Sequence, residues 1–125
     1  MSAPTSRILA VDDNPMNLKL VTYLLASGAY ELRTALNAEQ ALELVSSFVP
    51  HLVLLDLQLP DIDGLEITRR LKADPKTRAI IIVAVTAYAM KGDEEKARAA
   101  GVDGYIAKPL EREHFREAVA SYLLR

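Results

Sequence analysis

The sequence predicts an α/β domain of five βα units, a doubly wound domain on a parallel five-stranded sheet. Short apolar runs recur at Ile8-Leu9-Ala10-Val11, Leu52-Val53-Leu54-Leu55, residues 80–85 and Tyr105-Ile106-Ala107. They are continuous, whereas a strand with one wet face would alternate, so both of their faces should be covered, as in parallel sheets. Helical patterns separate them, and strands alternating with helices give this architecture.

The first run is strand 1. After it, Asn14 can cap a helix that starts at Pro15, and Leu18, Val21, Leu24 and Leu25 mark its buried stripe. Tyr30-Glu31-Leu32-Arg33-Thr34-Ala35 alternates and reads as an edge strand. Asn37 followed by Gln40 resembles a capping box for a helix carrying Ala38, Ala41, Leu42 and Val45. Ile67 and Leu71 anchor the third helix. A fourth helix over residues 90–100 takes its apolar content mostly from alanine, with Asp93, Glu94, Glu95, Lys96 and Arg98 filling the rest. Such a helix docks weakly and is a candidate mobile element. Gly101 reads as its stop and Gly104 as a tight connection into strand 5. Phe115, Ala118, Val119 and Tyr122 form the stripe of the last helix.

A chain of 125 residues is expected to be one domain, residues 1–125. It has no cysteine, so disulfides and thiolate metal sites are excluded. A net charge of -2 offers no footprint for nucleic acid. No apolar stretch approaches the ~20 residues that span a bilayer, and residues 1–6 lack a signal-peptide run, so a cytoplasmic protein is expected.

In doubly wound sheets the ligand site lies beyond the carboxyl ends of the strands. Strand 1 ends in Asp12-Asp13, strand 3 in Asp56, strand 4 in Thr86 and strand 5 in Lys108-Pro109, with Asp61 and Asp63 close behind Asp56. Each alone suits a turn, a cap or a solvated charge. Together, Asp12, Asp13 and Asp56 on one rim would repel and raise each other's pKa. A divalent cation and a lysine compensate them. Hard oxygen ligands favour Mg²⁺ (or Mn²⁺), which keeps positions open for phosphoryl oxygens. One carboxylate can then attack phosphorus to give an aspartyl phosphate. Asp56 is the natural nucleophile because it ends the central strand. Lys108 would neutralise phosphoryl charge, and the Thr86 hydroxyl would donate to another phosphoryl oxygen.

Val11-Asp12-Asp13, Leu55-Asp56-Leu57-Gln58-Leu59-Pro60, Asp63-Gly64, Val85-Thr86-Ala87 and Ala107-Lys108-Pro109 resemble the receiver domain of two-component response regulators, in order and across the whole chain. Residues 84–95 more narrowly resemble the stand-alone cell-cycle receivers of the DivK type. The resemblance implies a flavodoxin-like strand order, 2-1-3-4-5. It implies Asp56 as phosphoacceptor, and Asp13, Asp56 and the backbone carbonyl of Gln58 as direct Mg²⁺ ligands, with Asp12 acting mainly through water. It implies Thr86 and Lys108 as phosphoryl sensors, a cis Lys108-Pro109 peptide, and Tyr105 as an aromatic switch that turns inward as Thr86 moves. Ala87 would leave room for the phosphoryl group, and Gln58 and Tyr88 would tune its loss. The implied donor is a sensor histidine kinase or histidine phosphotransfer protein. The implied output is a protein target met through helix 4, strand 5 and helix 5, with the chain a monomer or weak homodimer and its output carried by protein contact because no domain follows Arg125.

Competing readings are a receiver excised from a larger hybrid kinase or regulator, and a phosphohydrolase forming an aspartyl phosphate. The second commonly needs an aspartate two positions after the nucleophile, where this chain has Gln58, which cannot act as a general acid. A nucleotide-binding domain is disfavoured because neither Gly-x-Gly-x-x-Gly nor a P-loop is present. His51, opening a strand, and His114, on a helix, are read as structural or surface residues. No enzyme with a separate substrate is expected.

Overall fold

The computed structural model describes residues 6–26, 28–86 and 92–124. Along the chain run β1 (Ser6–Val11), α1 (Pro15–Leu25), β2 (Tyr30–Ala35), α2 (Ala38–Phe48), β3 (Leu52–Asp56), α3 (Gly64–Ala73), β4 (Ile81–Thr86), α4 (Asp93–Ala100), β5 (Gly104–Ala107) and α5 (Arg112–Leu123). The strands form one parallel sheet in the order β2-β1-β3-β4-β5, the flavodoxin-like order expected.

Side chains alternate across a strand, so the sheet divides the core in two. Leu9, Val11, Val53, Leu55, Ile82 and Ala84 pack with residues of α2, α3 and α4. Ile8, Ala10, Leu52, Leu54, Val83 and Val85 pack with residues of α1 and α5. β3 is buried at every position, which is why its sequence is an unbroken apolar run. β2, at the edge, leaves Glu31 and Arg33 exposed.

The caps follow local chemistry. Asn14 accepts the Met16 amide with Pro15 at the first helical position, and Asn37 accepts the Gln40 amide at 2.9 Å. The reverse half of the expected capping box differs: Gln40 Oε1 accepts the Leu36 amide at 2.8 Å, one residue before the cap.

The fourth helix begins later than expected, at Asp93, after Gly92 in a left-handed conformation with φ 97°. Residues 90 and 91 lie outside the described residues. Its buried side chains are Ala97 and Ala100, consistent with shallow docking. Gly101 stops it as expected, at φ 115°, donating to the carbonyls of Ala97 and Arg98. Gly104 is more than a connection. It is the first residue of β5, and a Cβ there would run into the Tyr122 ring of α5.

At the amino-terminal rim, His51 Nδ1 accepts the Arg7 amide at 2.9 Å, a structural role. Lys72 Nζ donates to Asp103 Oδ2 at 2.8 Å and to the Ile80 carbonyl at 2.7 Å, tying α3 to the start of β4. His114 is exposed on α5. Among the described residues, no helix is long and apolar enough to cross a membrane.

Candidate acidic site at the carboxyl rim of the sheet

Parallel strands place all their carboxyl ends at one rim, so the residues that close β1, β3, β4 and β5 meet there. One carboxylate oxygen each from Asp12, Asp13 and Asp56 lies within 4.8 Å of the others. Asp12 is 7 % exposed, Asp56 8 % and Thr86 3 %, whereas Asp13 is open to solvent. Lys108 Nζ lies 2.9 Å from Asp12 Oδ2 and 3.8 Å from Asp56 Oδ2. The lysine therefore pairs closely with Asp12 and stands off from Asp56. Asp12 Oδ1 accepts the Asn14 amide at 2.9 Å, and Asp56 Oδ1 accepts the Gln58 amide at 3.0 Å. The Lys108-Pro109 peptide is cis, as expected.

Burial pushes the Asp56 carboxyl above the usual carboxylate range. The Gln58 amide and the Lys108 charge pull it down, and the neighbouring Asp12 carboxyl adds to the rise. Asp56 is thus a carboxylate that lacks full compensation. The donors gathered here are all hard oxygens, and Asp13 leaves one side open, which suits a partly hydrated Mg²⁺-like cation. Gln58 exposes its side chain while its amide holds the peptide beside Asp56.

Asp61 and Asp63, which stand beside Asp56 in sequence, do different work. Asp63 caps α3 by accepting the Leu65 amide at 2.8 Å. Asp61 reaches the start of α2, where the Ala38 amide, then those of Glu39 and Ile62, hold its carboxyl below the usual range. Neither belongs to the acidic cluster found among the described residues. Gly64 was visible only as part of a motif, and the structure supplies its reason. A Cβ there would sit 2.7 Å from Leu57 Cα and 2.9 Å from the Asp56 carbonyl, both backbone atoms. Gly64→Ala should therefore displace the segment after Asp56, lower stability by about 2 kcal/mol and weaken divalent-cation binding. Urea unfolding and a Mg²⁺ titration check this.

Thr86 and Tyr105 lie towards α4. Ala84 opposes Tyr105 and Thr86 opposes Ala107, so Tyr105 and Thr86 share one face of the sheet with only the small Ala84 between them in register. The Tyr105 hydroxyl is buried with no hydrogen-bond partner among the described residues. Burial raises its pKa, and the charges of Asp93 and Glu94 on α4 add to this. Thr86, Gln58, Asp63, Asp93 and Lys96 line a small cleft between the segment after Asp56 and α4. Ala87 and Tyr88 lie outside the described residues.

Residues 8–120 match the family described as response regulator receiver domain. The polar-differentiation response regulator DivK of Brucella anthropi is 44 % identical over 116 residues, covering 93 % of this chain and 94 % of the relative. DivK of Brucella ovis is 43 % identical over 119 residues, covering 95 % and 97 %. The receiver domain of a sensor histidine kinase from Pseudomonas aeruginosa, solved with a magnesium ion coordinated in its active-site cleft, superposes with a TM-score of 0.87 at 30 % identity, covering 98 % of this chain and 100 % of that one. A response regulator structure from Chloroflexus aurantiacus superposes with a TM-score of 0.92 at 29 % identity, covering 98 % and 100 %.

Proposed function

Because this chain belongs to the response regulator receiver domain family, we propose that it is a phosphorylation-dependent signalling switch with Asp56 as phosphoacceptor and residues 1–125 acting as one receiver unit. The observation that carries this reading is the cluster of Asp12, Asp13 and Asp56 within 4.8 Å, with the Lys108 ammonium 3.8 Å from Asp56.

Asp13, Asp56 and the Gln58 carbonyl would hold Mg²⁺, with Asp12 acting through water. The bound ion would neutralise charge shared between the carboxylates and an incoming phosphoryl group. An Asp56 carboxylate oxygen attacks phosphorus of a phosphohistidine on a sensor kinase or phosphotransfer protein. The P–N bond breaks and the histidine nitrogen keeps the electron pair. Lys108 follows the new negative charge, and the Thr86 hydroxyl donates to a phosphoryl oxygen. Thr86 and Tyr105 share a face, so movement of one changes the space open to the other. The surface of α4, β5 and α5 then shifts population towards a target-binding form. The shallow docking of α4 through Ala97 and Ala100 keeps that shift small in free energy. Met16, Leu20 and Tyr23 are exposed at i, i+4 and i+7 along α1, whose amino-terminal end follows the rim residues Asp12 and Asp13, and would supply apolar surface for a donor protein. The setting is cytoplasmic, and the partners are proteins.

The test is labelling with acetyl phosphate and Mg²⁺, followed by mass spectrometry. One acid-stable, base-labile phosphoryl group per chain is expected, and EDTA should suppress it. Equal labelling in EDTA would refute the metal assignment.

A further inference from the structure

The segment of residues 57–63 carries the Gln58 carbonyl assigned above to the metal. At its start, the Gln58 amide donates to Asp56 Oδ1 at 3.0 Å, and the Leu57 carbonyl accepts the Gly64 amide at 3.2 Å. Its middle is held by Asp61. Asp61 Oδ1 accepts the Ala38 amide at 2.9 Å and the Ile62 amide at 3.0 Å, while Oδ2 accepts the Glu39 amide at 3.1 Å. Ala38 and Glu39 are the first two residues of α2, and the next two amides, of Gln40 and Ala41, are taken by the Asn37 side chain and carbonyl. A few residues earlier, the Ala35 carbonyl accepts the Asp12 amide at 3.0 Å. A single carboxylate thus joins the segment that follows Asp56 to the helix start that adjoins the backbone of Asp12.

We propose that Asp61 is a positioning residue for the cation site: by bridging residues 57–63 to the first turn of α2, it sets the Gln58 carbonyl relative to Asp12, Asp13 and Asp56. The proposal rests on the reading of those three aspartates as a Mg²⁺ cradle. A carboxylate suits the task because its two oxygens accept from neighbouring amides at once and its charge faces the positive end of the helix. An asparagine keeps one acceptor oxygen and turns an amide donor towards the other N–H. Groups that orient metal ligands change metal affinity without touching the metal.

The test compares Asp61→Ala with Asn37→Ala, which removes a cap from the same helix start but leaves the Asp61 tether between that helix and residues 57–63 in place. Both variants should unfold at lower urea concentration. Mg²⁺ affinity, followed by amide shifts in ¹H–¹⁵N NMR, should fall about tenfold in Asp61→Ala and stay at the parent value in Asn37→Ala. Asp61→Asn should fall between, and it serves if the alanine variant does not fold. Parent-like Mg²⁺ affinity in the Asp61 variants would overturn the proposal, as would an equal loss in Asn37→Ala, which would reduce Asp61 to a helix cap. An Asp13→Asn variant that bound Mg²⁺ like the parent would overturn the cradle reading itself, and this proposal with it.

Discussion

Asp56→Asn should accept no phosphoryl group from acetyl phosphate or a phosphorylated kinase, taking the labelling from one group per chain to none. In metal-free buffer at neutral pH it should also unfold at higher urea concentration than the parent. The two outcomes share one cause. Asp56 is 8 % exposed and its carboxyl stands 3.8 Å from the nearest cation among the described residues, so burial raises its pKa and ionising it opposes folding. A folded-state pKa above the unfolded value means that the folded chain holds the proton more tightly. The penalty is therefore full above the folded pKa and disappears as pH falls below the unfolded value, about 3.9. Asparagine keeps the shape and removes the charge. The stability gap between the two proteins should close on acidification, and Mg²⁺ should narrow it by stabilising only the parent. Urea titrations across pH, with and without Mg²⁺, read all three effects. Persistent labelling of Asp56→Asn would move the acceptor elsewhere.

Lys108→Ala should leave phosphorylation of Asp56 possible but sever it from the response of α4, β5 and α5. A pull-down that showed normal, phosphorylation-dependent partner binding would count against the lysine as sensor. The structure adds a stability effect that depends on metal. Lys108 Nζ sits 2.9 Å from Asp12 Oδ2, with the two side chains 17 % and 10 % exposed. Removing it strands a nearly buried carboxylate and should lower stability in metal-free buffer by about 3 kcal/mol. A divalent cation replaces the missing charge, so saturating Mg²⁺ should restore most of that loss, and Mg²⁺ should bind more tightly than to the parent.

Much of this is legible in the amino-acid sequence alone. β3 could be read because every one of its residues is buried, leaving no polar position to confuse the pattern. Asp12, Asp56, Thr86 and Lys108 could be read because each directly follows or ends an apolar run, and parallel strands gather their ends at one rim. Asp61 and Asp63 show the limit. In sequence they look like further members of the acidic set, yet one holds α2 and the other α3. Which amide a carboxylate faces depends on packing across 23 residues for Asp61, and no local pattern encodes that. Gly64 stood in a motif without a reason until the backbone atoms of Leu57 and Asp56 were seen against it.

By itself, then, the sequence determined the five βα units, the sheet's buried strands and the rim where chemistry gathers, because hydrophobic periodicity and strand-end polarity are local properties. Only the tertiary structure decided that Lys108 pairs with Asp12 and stands off from Asp56, that Asp61 leaves the acidic cluster for α2, and that Tyr105 buries its hydroxyl near Asp93 and Glu94. Those outcomes turn on differences of about an ångström between groups far apart in the chain. Coulombic attraction and desolvation change steeply over such distances.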